Sequence, residues 1–593
     1  MRAWALVLLV GCVHGAGPVA QDRQDPMRAA AGIQDPTFRA LLVDQWTWTM
    51  RHSPEWATAL GEHAMDDQVS ARSVAAAEEA TEVREGFLRR AKALSDTLVD
   101  ARDAMFLDVF VQTIQSQVDT AVCHDESWSF SPRMNPMGDL FDAVELQPVE
   151  NDAQAEALLR RLTVFRGALA DHQAALREGL EQGRVVNRTS AERTLAMVDA
   201  QLAKPTMDWS FASKGPTGAG AAAITEWPGR LHSAIDGTLR PALTEYAAFL
   251  RDLILPAARP DDQPGLSGLP DMQGCYAALV RHYVTRDLSP SDLHQTGLDQ
   301  MAKVHAEIAD VGERVFGTRD VPTILARLRE DPTLRFTSAD EIVASATTAL
   351  ARAQAAVPRV FGHLPKTPCG VQVIPEYAAP YTTIAYYQQP NPDGSKQGSY
   401  FVNTYQPVTR ARFESEVLAF HESVPGHHLQ IATAYELPAA PAFHRYDGAT
   451  AFVEGWGLYS ERLADELGLY SSDLTRLGML SFDAWRAARL VVDTGLHAQG
   501  WSRAQAEAYL RDNTALAEQN VVNEVDRYVT WPAQALAYKT GQIEILALRA
   551  EAEARLGDRF NLSAFHDVIL GEGALPLDVL RARVERWIAA SGG

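Results

Sequence analysis

The sequence predicts a mainly α fold with one small β-hairpin, on three observations. Ala153 to Arg184 and Leu293 to Val315 repeat apolar residues at a period near 3.6 among good helix formers. Ser289-Pro290-Ser291-Asp292 places a capping hydroxyl and a first-turn proline directly before the second of these segments, which is a helix start. Tyr381-Thr382-Thr383-Ile384-Ala385-Tyr386-Tyr387 and Ser399-Tyr400-Phe401-Val402-Asn403-Thr404 are rich in β-branched and aromatic residues. Between them lies the turn-rich Pro390-Asn391-Pro392-Asp393-Gly394-Ser395, so the block reads as a hairpin.

From the N-terminus, Met1-Arg2 is a minimal basic region, Ala3 to Val10 is a short apolar run, and Leu9-Val10-Gly11-Cys12 has the form of a bacterial lipobox. The run is signal-peptide length and too short to cross a bilayer. The expectation is a mature chain starting at Cys12, lipid-anchored on the extracytoplasmic side of the cell envelope. An ordinary cleaved signal, leaving a soluble secreted protein, is the other reading. Residues 1–12 are thus signal, 13–36 a polar flexible tether, 37–360 a helical region and 361–593 the region holding the motifs below. Gly215 to Gly220 and Pro256 to Pro270 are loops by composition; the glycines lack the Gly-Lys-Ser/Thr ending of a phosphate loop.

A length of 593 residues at 46% apolar composition is enough for a large core. The formal charge of −22 argues against nucleic-acid partners, whose phosphates require basic patches, and against membrane binding by surface charge. Apart from Cys12 there are Cys123, Cys275 and Cys369, so at most one disulfide forms within the chain and one thiol is left over.

The chemistry concentrates in His421-Glu422-Ser423-Val424-Pro425-Gly426-His427-His428-Leu429-Gln430. A carboxylate beside one imidazole and near two more is the ligand-plus-base set of a zinc hydrolase. Downstream, Phe452-Val453-Glu454-Gly455-Trp456-Gly457-Leu458-Tyr459-Ser460-Glu461 offers another carboxylate at a distance typical of a third ligand. The histidine spacing is i to i+6 or i+7, not i to i+4. On an unbroken helix, i+6 lies roughly 9 Å along and about 240° around the axis, too far for both rings to reach one ion at about 2.0–2.1 Å. Pro425 and Gly426 therefore have to break or bulge the helix and swing His427 back, or a new helix starts at Pro425. The competing reading has solvated histidines at a helix break, and Glu454 on a helix surface with Phe452, Trp456 and Tyr459 packed inward.

Arg489, Asp493 and His497 recur every four residues on one helical stripe. The stripe can aim His497 at an oxyanion or a substrate carboxylate with Asp493 holding its ring, or it is an Arg489–Asp493 ion pair beside a packed histidine. In Arg527-Tyr528-Val529-Thr530-Trp531-Pro532-Ala533-Gln534-Ala535-Leu536-Ala537-Tyr538, the Tyr538 phenol is a candidate donor to a nascent alkoxide, or a core aromatic. The hairpin, with Tyr386 and Asn403, either binds an extended peptide along its edge or covers the core.

These motifs, in this order, resemble the bacterial domain-of-unknown-function 885 family, grouped with gluzincin-like metallopeptidases. His-Glu-x-x-Pro-Gly-His-His-Leu-Gln, Glu-Gly-Trp-x-Leu-Tyr-x-Glu and Val-Asp-x-Gly-x-His are all present, and the resemblance extends to Leu288–Gly297 and Tyr386–Asn403. It implies a large helical metallopeptidase-like fold binding one zinc ion. His421, His427 and Glu454 would be ligands, Glu422 the general base, and His497 and Tyr538 catalytic partners. His428 is the alternative ligand or a substrate contact, with Tyr386, Asn403, Arg489 and Asp493 as further substrate contacts. The implied substrate is a short peptide or other small amide; a peptide-binding protein that has lost catalysis, or an amidase or esterase, are the alternatives.

Overall fold

The computed structural model describes residues 26–592 except 216–225, 271, 377–378, 380–382, 391–396 and 438. Cys12, the signal segment, most of the 215–220 loop, Tyr381, Thr382 and the hairpin turn from Asn391 onward lie outside the described residues.

The two segments with helical period are helices, Asp152–Glu181 and Pro290–Phe316. Asn151 caps the first by accepting from the Gln154 N–H at 3.0 Å. Ser289 caps the second by accepting from Asp292 at 3.1 Å, and Gly317 ends it in the left-handed region at φ 71°. Part of the expected tether is instead folded. Ala29, Ala30 and Ile33 are buried, the N–H groups of Gln34 and Asp35 donate to the Asp103 carboxylate, and Asp35 caps helix Pro36–His52. Residues 29–36 are thus docked and capped rather than free.

Two large hydrophobic cores organise the described residues, with a third, small cluster of Ile374, Ala379 and Tyr386 at the sheet. The larger draws on both ends, from Phe38 and Phe106 to Val584 and Ile588. The smaller, around Leu140, Leu162, Trp227 and Tyr246, lies wholly within 130–258. Since the larger core spans position 360, the boundary expected there does not separate two cores. Cys123 and Cys275 form a disulfide, and Cys369 is a buried free thiol. No described helix is long and apolar enough to cross a membrane.

Helix Asp473–Ala498 is the central element, packing against Pro290–Phe316, Ser415–Glu422, Thr450–Glu466 and Leu536–Leu556. It is buried on almost every face between Leu477 and His497. Thr450–Glu466 and Leu536–Leu556 touch backbone to backbone: a Cβ on Gly455 would lie 2.5 Å from the Gly541 Cα. That contact fixes the helix that carries Glu454.

The hairpin forms from β2 (Ala385–Gln388) and β3 (Gly398–Val402), antiparallel with Ala385 opposite Val402. A third strand, β1 (Cys369–Val373), pairs with β3 in parallel and makes β3 the centre of the sheet. Short and carrying a glycine, β1 has no strong strand signal of its own. The sheet packs on the helices bearing Glu422 and His428.

Candidate metal centre

The i to i+6 spacing is resolved by a break between two helices. Ser415–Glu422 ends just after His421, four residues form a tight connection with a cis Val424–Pro425 bond, and His427 opens helix His427–Glu436. The second helix thus starts two residues after Pro425. The His428 N–H donates to the Ser423 carbonyl at 3.0 Å, and Trp456 Nε1–H holds the Pro425 carbonyl at 2.9 Å. Only glycine fits at 426, because a Cβ there would penetrate the His421 carbonyl oxygen. The two rings then meet edge to face, with centroids 4.7 Å apart.

Glu454, one turn into Thr450–Glu466, completes the group. Its Oε2 lies 3.8 Å from His421 Nε2 and 3.7 Å from His427 Nε2, and one donor atom from each of the three residues lies within 4.8 Å of the others. Three ligands at about 2.05 Å around a tetrahedral ion stand about 3.4 Å apart, so these atoms are close to coordinating separation without being hydrogen-bonded to one another. Burial depresses the His421 pKa to about 3. Burial first, then the neighbouring His421, depresses that of His427 to about 4. Both rings are therefore neutral at pH 7 and present lone pairs. Two imidazoles and a carboxylate suit zinc.

Glu461 supports the group from behind. It lies two turns beyond Glu454 on the same helix and 2.7 Å from His421 Nδ1, which directs the ring's Nε2 toward Glu454. Gly457 leaves room for that ring, since a Cβ would stand 2.7 Å from its Cε1. Glu422 lies beside the triad with a buried Oε2 that has no hydrogen-bond partner among the described residues. Burial, reinforced by the Glu454 charge, pushes its pKa up to about 8. A bound dication acts in the opposite direction, and such a poised carboxyl is what proton transfer near neutral pH needs.

The remaining predicted residues divide. His428 faces away from the triad: Nδ1 meets the Tyr387 hydroxyl at 3.0 Å and Nε2 the Thr367 carbonyl at 3.0 Å, so it fastens the helix to the sheet and is neither ligand nor substrate contact. His497 is likewise corrected. Its Nδ1 accepts from the Leu266 N–H and its Nε2 bonds the Tyr528 carbonyl, both at 3.0 Å, leaving no nitrogen for chemistry. Asp493 does not hold that ring, nor does it pair with Arg489. It accepts from the Tyr276 hydroxyl at 2.6 Å and from the Ala533 N–H at 3.0 Å, stabilising the left-handed backbone at Ala533 (φ 67°). Asn403 donates to the Ala379 and Thr383 carbonyls and accepts from Tyr405 N–H, bracing its own loop, and Tyr386 stacks on Phe401 at 4.9 Å. Both serve the sheet.

Arg489 and Tyr538 share a cluster with two residues the motifs leave out, Arg486 and Glu524. Arg489 donates to Glu524 at 3.0 Å and to the Tyr528 hydroxyl at 3.2 Å, and its guanidinium carbon lies 4.3 Å above the Tyr538 ring. The Tyr538 hydroxyl accepts from Arg527 at 3.1 Å and keeps its own hydrogen for another acceptor. Arg486 stacks on Phe482 and Trp485 at 4.5 and 4.2 Å. Its position, one turn before Arg489 on the central helix, was the only sequence signal available for it.

Two solved structures are similar. A protein from Colwellia psychrerythraea, described as a "putative lipoprotein", is 26% identical with a TM-score of 0.81, covering 93% of this chain and 99% of its own. A "putative lipoprotein of unknown function" from Shewanella oneidensis is 18% identical with a TM-score of 0.74, covering 92% and 98%, and shares the fold. No curated protein matches the chain. Residues 54–584, which include every residue of the metal-site motifs, match the family described as bacterial protein of unknown function (DUF885), and the chain belongs to that family.

Proposed function

We propose that this protein is a zinc-dependent hydrolase, a metallopeptidase that cleaves short peptides outside the cytoplasm. The observation that carries the reading is the convergence of His421, His427 and Glu454, both imidazoles neutral, beside a partner-free Glu422 oxygen. His421, His427 and Glu454 would hold a zinc ion, which would supply Lewis-acid activation of water and of the scissile carbonyl. Glu422 takes the proton of the attacking water on Oε2 and returns it to the leaving amine. Glu461, through His421 Nδ1, keeps the ligand ring in its tautomer and orientation. In this reading Tyr538, whose hydroxyl accepts from Arg527, is the residue that donates a hydrogen bond to the developing oxyanion.

A dead scaffold serving only as a binding protein has no use for this set of ligands, base and supporting carboxylate. For location, the Leu9-Val10-Gly11-Cys12 sequence and the lipoprotein descriptions of the two similar structures favour a lipid anchor outside the cytoplasm. The Cys123–Cys275 disulfide suits an oxidising compartment. The deciding experiment is Glu422→Gln: it should keep zinc and lose peptide hydrolysis by about 10³-fold or more. Near-normal turnover would overturn the assignment of the base.

A further inference from the structure

The cationic cluster on the central helix contains donors that no described residue uses. Arg486 is 6% exposed and Arg489 2% exposed. Arg486 Nε and Nη1 and Arg489 Nη1 have no hydrogen-bond partner among the described residues. Arg489 is ion-paired with Glu524, whereas Arg486 stacks between Phe482 and Trp485 without an ion pair. Arg489 and Arg527 are both ion-paired with Glu524, whereas Arg486 has no ion pair among the described residues and faces the charges of Glu461 and Glu524 from a distance. Burying a guanidinium with unmade charge-assisted hydrogen bonds costs several kcal/mol, and an arrangement of this kind is stable in use when an anion completes it.

The cluster is also close to the chemistry. Arg486 projects from the central helix, which packs directly on Ser415–Glu422 and Thr450–Glu466, the two helices carrying His421, Glu422 and Glu454. Its charge reaches His421, Glu422, His427 and Glu461 on one side and Glu524 and Tyr538 on the other. An anion bound by Arg486 is thus held on the helix that packs against both metal-site helices.

We propose that Arg486, backed by Arg489, binds a carboxylate of the substrate, and that this carboxylate is the free C-terminus of a short peptide. The inference rests on the peptidase reading above and narrows it: the enzyme releases residues from the C-terminal end. The planar fork of Arg486 suits bidentate capture of a carboxylate, and a guanidinium buried against Phe482 and Trp485 suits the end of a chain better than a chain that continues past it. A glutamate or aspartate side chain offers the same chemistry from a different source.

The test measures binding separately from turnover. Tri-alanine and tri-alanine amide are titrated calorimetrically into zinc-loaded Glu422→Gln protein, with and without Arg486→Gln, and N-acetyl-Ala-Glu-Ala-amide serves as the acidic side-chain probe. The free acid should bind about 10- to 100-fold tighter than its amide, and Arg486→Gln should bring the acid down to the amide. Arg486→Lys, which keeps the charge and loses the fork, should fall between the two. Equal binding of acid and amide by the protein that keeps Arg486 overturns the proposal without an Arg486 variant having to fold, and preferential binding of the glutamyl amide assigns the site to a side chain and overturns the C-terminal choice. The same pair of tripeptides is then offered to the unmodified enzyme. Carboxylate-dependent binding with no cleavage of any peptide would sink the peptidase reading and leave the anion site standing.

Discussion

His421 Nδ1 and Glu461 Oε1 are 2.7 Å apart in the interior, and this contact fixes which nitrogen of the ring faces Glu454. With the Glu461 carboxylate accepting from Nδ1–H, Nε2 is left unprotonated and available as a ligand. Glu461→Gln should therefore weaken zinc binding about 10- to 100-fold while the protein stays folded. Competition against a zinc chelator reads this directly. An unchanged affinity would show that the ring is oriented by packing alone.

Gly426 makes a second, steric prediction. Because a Cβ at this position collides with the His421 carbonyl oxygen, Gly426→Ala must open the connection that brings the two imidazoles together. The expected result is loss of most zinc at a destabilisation of about 1–3 kcal/mol. Gly457→Ala, where the Cβ would meet the His421 ring at 2.7 Å, should also displace that ligand. Full zinc occupancy in both variants would mean that the ligand geometry tolerates more backbone movement than argued.

The neighbouring histidines should behave as opposites. His427→Ala is expected to lose zinc, whereas His428→Ala should keep it and lose about 1–3 kcal/mol of stability, since it removes bonds to Tyr387 and Thr367. His497→Ala belongs with the second: its nitrogens serve the Leu266 and Tyr528 backbone, so melting temperature should fall with zinc content unchanged. Elemental analysis alongside thermal melts distinguishes these outcomes.

How far the site could be read in advance follows from what each motif encodes. Ligand identity and the need for a helix break follow from side-chain type and the i to i+6 spacing, and the structure places His421, His427 and Glu454 together. The helix period and start signal gave Pro290–Phe316 almost to the residue. The stripe Arg489, Asp493, His497 misled because a four-residue spacing says that residues share a face, not what lies opposite it. Opposite are Tyr276, Leu266 and Ala533, contributed by distant parts of the chain. Arg486 was invisible for the same reason: its significance comes from donors left without partners, which only packing reveals.

The cluster around Glu524 makes a pH prediction. Burial alone would raise the Glu524 pKa, but Arg489 and Arg527, with the Tyr528 hydroxyl, hold it at about 2 against an ordinary 4.5. A depressed carboxylate contributes stability that is fully present above 4.5 and is lost as pH falls through about 2. Glu524→Gln should cost about 3–5 kcal/mol at neutral pH by stranding two buried guanidiniums, and the gap from the unmodified protein should shrink over that acid window. Melting curves of equal separation at every pH would contradict this.

The disulfide gives a compartment-linked prediction. Cys123 and Cys275 close a loop with a sequence separation of 152, which by loop entropy stabilises the fold by roughly 5 kcal/mol. Replacing both with alanine, or reducing them, should lower the melting temperature markedly without releasing zinc. A melting temperature insensitive to reduction would mean that the segments carrying Cys123 and Cys275 hold together without the bridge.

The most direct test of the account is the metal content of the protein purified without residues 1–12 and supplied with zinc, measured beside His421→Ala and Glu454→Ala. About one zinc per chain in the unmodified protein, and little in either variant, is the predicted result. No bound zinc in the unmodified protein, or equal zinc in all three, would contradict a metal centre built from His421, His427 and Glu454.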